Sequence, residues 1–473
     1  MKVEIYNLGV IQKAEIDLKP LTVFIGGNGT GKTWTAYTLA SILGHHGFKK
    51  YLKSYIDGKT HQKYPIIDLA IEKFLEEGNV CIDLINFAQE YAEIYINDVS
   101  FSSHSWMKTF LATEFGAFEK MNVKFNLADT QAKIFENIRK SALERQISFG
   151  SQGKQSLRIL KELGEDSIYF YIISEDNFVK ELPKRVFREF LLQEIFQIIH
   201  RAFYSYVYIF PTERTTFITF PFSIKKEIIN LENVDEIENF QKKIKINDIV
   251  SDKKVKNQSA AVQSLIEILA NAYIKTSAER EEEIEKTPET SVYIRLAEIL
   301  EEKILQGGID INESGLGNEI IFQPGDNIKL EMTVASSMIK ELAPLVLCLR
   351  YLAEPDELLI IDEPEMNLHP AAQVEMSEFL AMLVQAGLNV LITTHSPYIV
   401  DHLANLMQAA KYQDKESIKH RFYLEQTEAF IPQEKVSVYL FEDGTAKNIL
   451  NEEGRIDWGT FGDVSDDISH IFP

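Results

Sequence analysis

Cysteine is scarce in this sequence of 473 residues, which contains only Cys81 and Cys348. Their separation matches no metal-binding spacing, and both lie in apolar sequence, so the pattern predicts two buried thiols. Two thiols without a pairing pattern are typical of a reducing compartment. We therefore expect a cytoplasmic protein.

Long apolar runs are also missing. Stretches such as Leu345 to Leu349 and Leu388 to Ile392 are far shorter than the ~20 residues needed to cross a bilayer. The first residues, Met1 to Tyr6, contain neither an apolar segment nor a small-residue cleavage site. The sequence thus predicts neither a membrane span nor secretion.

Positive charge is in deficit, since 49 Lys and Arg residues face 71 Asp and Glu residues and the formal net charge is −22. Most of the surface is therefore expected to repel a polyanion such as nucleic acid. A local patch could still bind one, and the best candidate is the lysine-rich run from Lys242 to Lys256. Such runs are more often a solvated helix face or loop.

The chain is too long for one compact core, so two or more packed units are expected. Short apolar strands alternate with amphipathic helices at both ends, which favours an α/β fold with a mostly parallel sheet and helices on both faces. The predicted head comprises residues 1–47, 201–220 and 309–473. A mainly helical insertion is predicted over 48–200 and a helical arm over 221–308, with Glu279 to Thr290 as an exposed connection.

The strongest motif is Gly26 to Thr33, which fits G-x-x-x-x-G-K-[ST] and lies between a buried strand and an amphipathic helix. Glycines let the loop amides face phosphate oxygens, toward which the helix directs its positive end. Lys32 supplies a charge for the β- and γ-phosphates of ATP, and the Thr33 hydroxyl can ligate Mg²⁺. The predicted nucleotide-binding residues of this loop are Gly26, Asn28, Gly29, Thr30, Gly31, Lys32 and Thr33.

A second motif is the apolar run Leu358 to Ile361 followed by Asp362 and Glu363. A strand that ends in two carboxylates places them at the carboxyl edge of the sheet, beside the phosphate loop. Asp362 is predicted to hold Mg²⁺, and Glu363 to orient and polarise the attacking water.

His395 is the third candidate, because it ends the next buried strand, Val390 to Thr394. A lone histidine is usually structural. At this position, however, an imidazole can hydrogen-bond the γ-phosphate or the attacking water. Lys32, Glu363 and His395 are therefore the predicted catalytic residues.

These motifs, with Ala335-Ser336-Ser337 and Glu365 to Pro370 between them, resemble the ordered motif set of the RecF, SMC and OLD branch of ATP-binding-cassette ATPases. The stretch Tyr208 to Arg214 also resembles that branch. The resemblance covers both ends of the chain and little of the middle. It implies a P-loop NTPase head of the cassette type, with an antiparallel N-terminal sheet in addition to the parallel one.

The resemblance further implies a homodimer in which two heads sandwich two ATP molecules. Ser336 and Ser337 would then contact the γ-phosphate bound to the partner head, and 367–369 would lie at the same seam. Met338 departs from the pattern, because the family usually has glycine at that position. Its Cβ could crowd the phosphate, which leaves the hydrolysis rate open. The glutamine that usually couples Mg²⁺ to the helical part of the head could not be placed.

The leading functional hypothesis is a nucleotide-gated dimeric switch. By resemblance, such proteins are ATPase components of anti-phage systems such as Septu and PARIS, in which a separate nuclease or toxin is the effector. One alternative is a repair or recombination ATPase that binds DNA directly, and the charge of −22 weighs against it. Another is a scaffold that binds ATP with little turnover, which Met338 keeps open.

Overall fold

The computed structural model describes residues 1–60, 62–116, 118–149, 155–173, 184–219, 258–275, 277–314, 317–325 and 328–457. The described residues form two compact units. The first comprises those within Met1–Leu8, Thr38–Met107 and Phe118–Tyr206, and the second those within Gly9–Tyr37, Lys108–Ala117 and Val207–Pro473. The lysine-rich run 242–256 lies outside the described residues.

The strands, in chain order, are β1 Lys2–Leu8, β2 Ile11–Asp17, β3 Leu21–Gly26, β4 Asn79–Asp83, β5 Asn122–Asn126, β6 Leu143–Phe149, β7 Gln155–Lys161, β8 Ser167–Ile173, β9 Val207–Phe210, β10 Gly308–Ser314, β11 Gly317–Gly325, β12 Ile328–Glu331, β13 Leu358–Asp362, β14 Asn389–Thr394, β15 Val436–Glu442 and β16 Thr445–Asn448.

The α-helices, in chain order, are α1 Lys32–Leu43, α2 His45–Ile56, α3 Pro65–Glu77, α4 Leu84–Ser102, α5 Met107–Phe110, α6 Gln131–Lys140, α7 Lys184–Arg201, α8 Arg214–Thr219, α9 Ala260–Ile274, α10 Ser277–Lys286, α11 Ser291–Ile299, α12 Ser337–Tyr351, α13 Pro370–Gln385 and α14 Pro397–Ala410. A π-helical turn, Leu300–Leu305, continues α11. None of the described helices combines the length and apolar character that a membrane crossing requires.

The second unit is built on a six-stranded sheet of order β16-β15-β3-β14-β13-β9. All neighbours from β15 to β9 are parallel, and β16 is antiparallel at one edge. Every residue of β3, β13 and β14 is buried. Because successive side chains point to opposite faces, this shows that both faces of the central strands are covered. The α/β fold class expected from the sequence is confirmed.

Parallel order brings the carboxyl ends of β3, β14, β13 and β9 to one edge of this sheet. The segments that follow those ends carry all three sequence motifs, together with the loop that leads to Arg214. A separate antiparallel sheet, β10-β11-β12, also belongs to the second unit.

The first unit combines helices α2, α3, α4, α6 and α7 with an antiparallel sheet of order β4-β8-β7-β6, while β1 pairs antiparallel with β5. Its core is rich in aromatic rings, as between Tyr51 and Tyr95, whose centroids are 5.2 Å apart. The four-stranded sheet was not expected, since the sequence of this region was interpreted as mainly helical.

The structure corrects two local expectations. Cys81 is exposed, since it lies on edge strand β4 and faces away from buried Val80 and Ile82, whereas Cys348 is buried as predicted. The charged segment Glu279 to Thr290 is largely exposed as predicted, but it is not a simple connection, because it contains most of helix α10. Arg280 of that helix is 2% exposed and donates to the carbonyl oxygen of Ala353 (2.8 Å).

Candidate functional site

The phosphate loop, residues 26–33, joins β3 to α1 and has three glycines with positive φ, two of which also lack room for a Cβ. Gly26 has φ +146°, and a Cβ there would lie 2.4 Å from the carbonyl oxygen of Phe441. Gly31 has φ +99°, and its Cβ would lie 2.8 Å from the Ile11 side chain. Any other residue would therefore strain the backbone or force its neighbours apart. Asn28 and Gly29 are exposed at the tip of the loop.

Lys32 is the first residue of α1 and is only 5% exposed. Its ammonium group donates hydrogen bonds to the carbonyl oxygens of Gly26 (2.9 Å) and Gly27 (2.8 Å), so it lies along the inner side of the loop. Burial lowers the pKa of Lys32, and the nearby carboxylates, of which Glu363 acts most strongly, oppose that shift. The ammonium group of Lys32 and the carboxylate of Glu363, the predicted catalytic base, are thus electrostatically coupled.

Asp362 lies at the end of β13, is 3% exposed and accepts hydrogen bonds on both carboxylate oxygens. Thr33 Oγ1 donates to Oδ1 at 3.0 Å, and the Thr393 hydroxyl donates to the same oxygen. Tyr37 OH donates to Oδ2 at 3.3 Å. The structure therefore brings together Thr33 and Asp362, the two predicted metal ligands, although 329 positions separate them.

Mg²⁺ prefers oxygen ligands and usually takes one or two protein groups together with phosphate and water oxygens. The Thr33 hydroxyl and the Asp362 carboxylate, which are adjacent at this edge of the sheet, fit that preference. Within the described ranges, no group of three or more His, Cys, Asp and Glu side chains is arranged to hold a metal by protein ligands alone. The donor set thus suits a metal that arrives with a nucleotide.

Glu363 follows Asp362 with φ +49°, a conformation that is costly for a residue with a side chain. Its backbone N–H donates to the carbonyl oxygen of Thr393 at 3.0 Å, which helps to hold this conformation. Its side chain is about one-third exposed, and His395 Nε2 lies 3.6 Å from its Oε1. Burial, followed by repulsion from Asp362 and Glu365, raises the pKa of Glu363.

Burial also lowers the pKa of His395, as does the nearby positive charge of Lys32. The lowered pKa favours the neutral imidazole, whose proximity to Glu363 is then a polar contact between a neutral ring and a carboxylate. Such a ring can both donate and accept a hydrogen bond. His395 and Glu363 therefore lie side by side, as expected of two groups that share a phosphate or a water.

Glu365 contributes to this site and was not singled out from the sequence. Its Oε1 accepts from the Thr394 hydroxyl (2.8 Å) and from the backbone N–H of His395 (2.6 Å). Its Oε2 is buried and has no hydrogen-bond partner among the described residues. Burial raises the pKa of Glu365. The carboxylate fixes the backbone that carries His395.

Tyr37, Thr393 and Arg214 were also missed as site residues. Sequence reasoning noted Arg214 only as part of a resembling stretch, yet its guanidinium donates to the carbonyl oxygens of Asp362 (2.8 Å) and Glu363 (3.0 Å). No local pattern indicates these contacts. For Tyr37, the available signal was its place one helical turn after Thr33, on the same face of α1.

Ser336 and Ser337 are exposed at the beginning of α12. Ser336 is the N-cap, and its hydroxyl accepts from the backbone N–H of Ile339 at 3.4 Å. Met338 is half-buried in the first turn, and Pro344 lies inside the helix. In the part of the chain that the structure describes, no hydrogen bond links either serine to residues 26–33 of the same molecule. The structure thus groups the phosphate loop with Asp362, Glu363 and His395, and leaves the two serines apart.

A family model described as "AAA ATPase domain" (AAA_15) matches residues 1–400, and the chain therefore belongs to this family of AAA ATPases. This confirms, at the level of the family, the ATPase resemblance predicted from the motifs.

A curated relative, the Old nuclease of Escherichia phage P2, is 43% identical over 56 residues. That match spans 11% of this chain and 10% of the nuclease, so the chain matches about a tenth of that protein's length.

Two solved structures are similar at low sequence identity. One is the SmcHead bound to the C-winged helix domain of ScpA, with 12% identity, a TM-score of 0.36 and coverage of 95% of this chain and 96% of that one. The other is the Smc head domain with an extended coiled coil, bound to the C-terminal domain of ScpA from Pyrococcus furiosus. It has 13% identity, a TM-score of 0.35 and coverage of 99% and 98%.

Proposed function

We propose that the protein binds Mg-ATP at the phosphate loop and hydrolyses it to ADP and phosphate. The observation that carries this proposal is the meeting of Thr33 with Asp362, with Lys32 and Glu363 beside them. One cation, one hydroxyl and two carboxylates at the carboxyl edge of a parallel sheet make up the chemistry that phosphoryl transfer to water requires. Membership in an ATPase family supports the same reaction.

In this proposal Lys32 exchanges its bonds to the loop carbonyls for β- and γ-phosphate oxygens. Thr33 and Asp362 would hold Mg²⁺, which would supply positive charge to offset the charge of the phosphates. Glu363 orients the attacking water and accepts its proton as the bond to the γ-phosphorus forms and the bond to the leaving ADP oxygen breaks. Neutral His395 hydrogen-bonds the same phosphate or water.

We further propose that ATP closes a homodimer and that hydrolysis opens it. The exposure of Ser336 and Ser337 at the start of α12 supports this, because a helix N-terminus suits an anion presented by a second head. Asn367, Leu368 and His369 would lie at the same seam. The mainly helical insertion would then report the nucleotide state to a separate effector.

The proposed setting is the cytoplasm, and the proposed effector is a nuclease or toxin of an anti-phage system. This part of the proposal rests on the resemblance of the motif set alone. The short match to the Old nuclease supports the ATPase branch, and it covers too little of that protein to carry its nuclease activity to this chain.

A second candidate is a scaffold that binds ATP and barely turns it over. Met338, half-buried in the first turn of α12, favours it, because the resembling family usually has glycine there and a Cβ would crowd the phosphate bound to a partner head. Direct DNA binding has weaker support, since the net charge is −22 and the lysine-rich run lies outside the described residues.

Comparison of the wild type with Glu363→Gln tests the proposal. We expect the Gln variant to retain ATP affinity and to lose turnover by ~100-fold or more, as expected when a general base is removed. ATP should then shift the variant from monomer to dimer in sedimentation velocity, because the closed dimer cannot reopen without hydrolysis. If the wild type binds ATP tightly but hydrolyses it no faster than Glu363→Gln does, the protein is instead the scaffold.

A further inference from the structure

Arg214 is the first residue of α8, is 2% exposed and makes an unusually complete set of hydrogen bonds. Its Nη1 donates to the carbonyl oxygens of Phe210 (3.1 Å) and Pro211 (2.9 Å), which end β9 and begin the next loop. Its guanidinium also donates to the carbonyl oxygens of Asp362 and Glu363 at 2.8 and 3.0 Å. The Arg214 side chain thus holds the backbone of Glu363, the residue that carries the proposed catalytic carboxylate.

The remaining bond of Arg214 leads to α12. Its Nε donates to Glu341 Oε2 at 2.8 Å, and both side chains are almost fully buried, at 2% and 1% exposed. Glu341 Oε1 accepts from the Thr215 hydroxyl and from Asn367 Nδ2 (3.3 Å). Asn367, with φ +61°, belongs to the segment that follows Glu363. Glu341 is therefore hydrogen-bonded to Arg214, which holds the carbonyl groups of Asp362 and Glu363, and also to Asn367 in the segment that follows them.

Glu341 is also placed to sense the start of its own helix. It lies four residues after Ser337, and residues at this spacing stack on one face of an α-helix. Ser337 and Glu341 therefore share a face of α12, along which a displacement of the first turn would reach the Glu341 carboxylate. Because the carboxylate is buried and bonded on both oxygens, it cannot move without displacing Arg214 or Asn367.

A displacement of Arg214 or Asn367 would act on the backbone of Glu363. Its φ of +49° is sparsely populated for a residue with a side chain, and surrounding contacts must maintain it. Two of those contacts are the bond from Arg214 to its carbonyl oxygen and the bond from its own N–H to Thr393. Loss of the first would free the carboxylate to leave its position beside His395.

We propose that Arg214 and Glu341 form a positioning pair that couples the first turn of α12 to the orientation of Glu363. The inference rests on the proposed ATP hydrolysis and adds a route by which contact at Ser337 sets the catalytic geometry within the same molecule. Both side chains are buried and hydrogen-bonded to protein atoms outside the phosphate loop, so the pair acts on the rate of the chemical step and leaves nucleotide affinity unchanged.

Glu341→Gln tests the pair, because it keeps the shape and the acceptor oxygen and removes the charge. The matched control is Glu301→Gln. Glu301 is also a buried carboxylate paired with an arginine of α12, Arg350, and accepts from the backbone N–H of Ile309 (2.6 Å). Its partner arginine lies in the last turn of α12, away from Ser337. Both variants would be assayed for thermal unfolding, equilibrium ATP binding, kcat and KM.

We expect Glu341→Gln to lower kcat by ~10-fold or more while KM and the ATP dissociation constant stay within about 3-fold, as for an interaction made only in the transition state. Glu301→Gln should lower the unfolding temperature and leave kcat unchanged. Equal kcat values for Glu341→Gln and the wild type would overturn the inference while leaving hydrolysis intact. Absence of turnover in the wild type would overturn both.

If Glu341→Gln does not fold, the variant Thr215→Val is used in its place. It removes one hydrogen-bond donor to Glu341 and leaves both charges of the Arg214–Glu341 pair. We then expect kcat to fall about 3-fold at unchanged KM. An unchanged kcat in folded Thr215→Val, or an equal loss in Glu301→Gln, would show that the pair merely stabilises the fold.

Discussion

Removal of the Tyr37 hydroxyl should weaken the response of the enzyme to Mg²⁺. Tyr37 is 7% exposed, and its OH donates to Asp362 Oδ2 at 3.3 Å. Burial, followed by the charge of Asp362, holds the pKa of Tyr37 well above its ordinary value, so the phenol keeps its proton throughout an assay. In Tyr37→Phe, one oxygen of a nearly fully buried carboxylate loses its donor and its orientation.

The size of the effect follows from the type of bond. A hydrogen bond to a charged group contributes ~1.5–3 kcal/mol, and the length of this one argues for the lower end. About 1.5 kcal/mol corresponds to roughly a 10-fold higher Mg²⁺ concentration at half-maximal turnover, which agrees with the ~10–100-fold cost of losing an outer partner of a metal ligand. ATP affinity without Mg²⁺ should change little.

Turnover would be titrated with Mg²⁺ at constant ATP, beside the control Tyr293→Phe. The Tyr293 hydroxyl is also buried, yet it donates to the carbonyl oxygen of Ala386 (2.9 Å) and should affect stability alone. Superimposable Mg²⁺ titrations for the wild type and Tyr37→Phe, with equal losses of unfolding temperature in the two variants, would refute the reasoning.

Three further outcomes are expected. Glu365→Gln removes a charge that raises the pKa of Glu363. Because Glu363 must be ionised to act as the base, turnover should begin to rise at a lower pH in this variant than in the wild type. A pH–rate profile that does not move would contradict this. Gly26→Ala places a Cβ 2.4 Å from a backbone oxygen and should cost about 2–3 kcal/mol of unfolding free energy, which a denaturant titration with an unchanged midpoint would disprove. Ser336→Ala removes the cap of α12 and should cost ~1 kcal/mol together with most ATP-dependent dimerisation, whereas Ser336→Asn should restore the stability and not the dimer.

The phosphate loop could be predicted because its chemistry is local. Three glycines with positive φ, a lysine and a threonine lie within eight consecutive positions, and the flanking strand and helix show their own periodicity. Asp362 and Glu363 could be predicted for the same reason, as the end of a fully buried strand. The motifs, together with the rule that parallel strands end at one edge, were enough to anticipate their meeting.

The supporting contacts could not be predicted, because they depend on side chains that are distant in sequence. Tyr37 and Asp362 are 325 positions apart, and Arg214 and Glu341 are 127 apart. In the sequence, each of these residues can be explained by its own segment alone: Tyr37 as a tyrosine on a helix, and Arg214 and Glu341 as charges on a surface. Their pairing appears only when the sheet order and helix packing are known. The sheet β4-β8-β7-β6 was missed although its sequence carries strand signals: Leu157 and Ile159, two positions apart on β7, are buried on one face, and Gly164 lies in the turn before β8.

The central claim is that residues near both ends of the chain bind one nucleotide, and equilibrium ATP binding to Lys32→Ala tests it most directly. Exposed Lys50, changed to Ala, is the control for loss of a positive charge from a protein of net charge −22. We predict that Lys32→Ala weakens ATP binding by ~100-fold or more, as a charge-assisted contact to phosphate implies, and that Lys50→Ala does not. Equal ATP affinity in Lys32→Ala and the wild type would contradict the account.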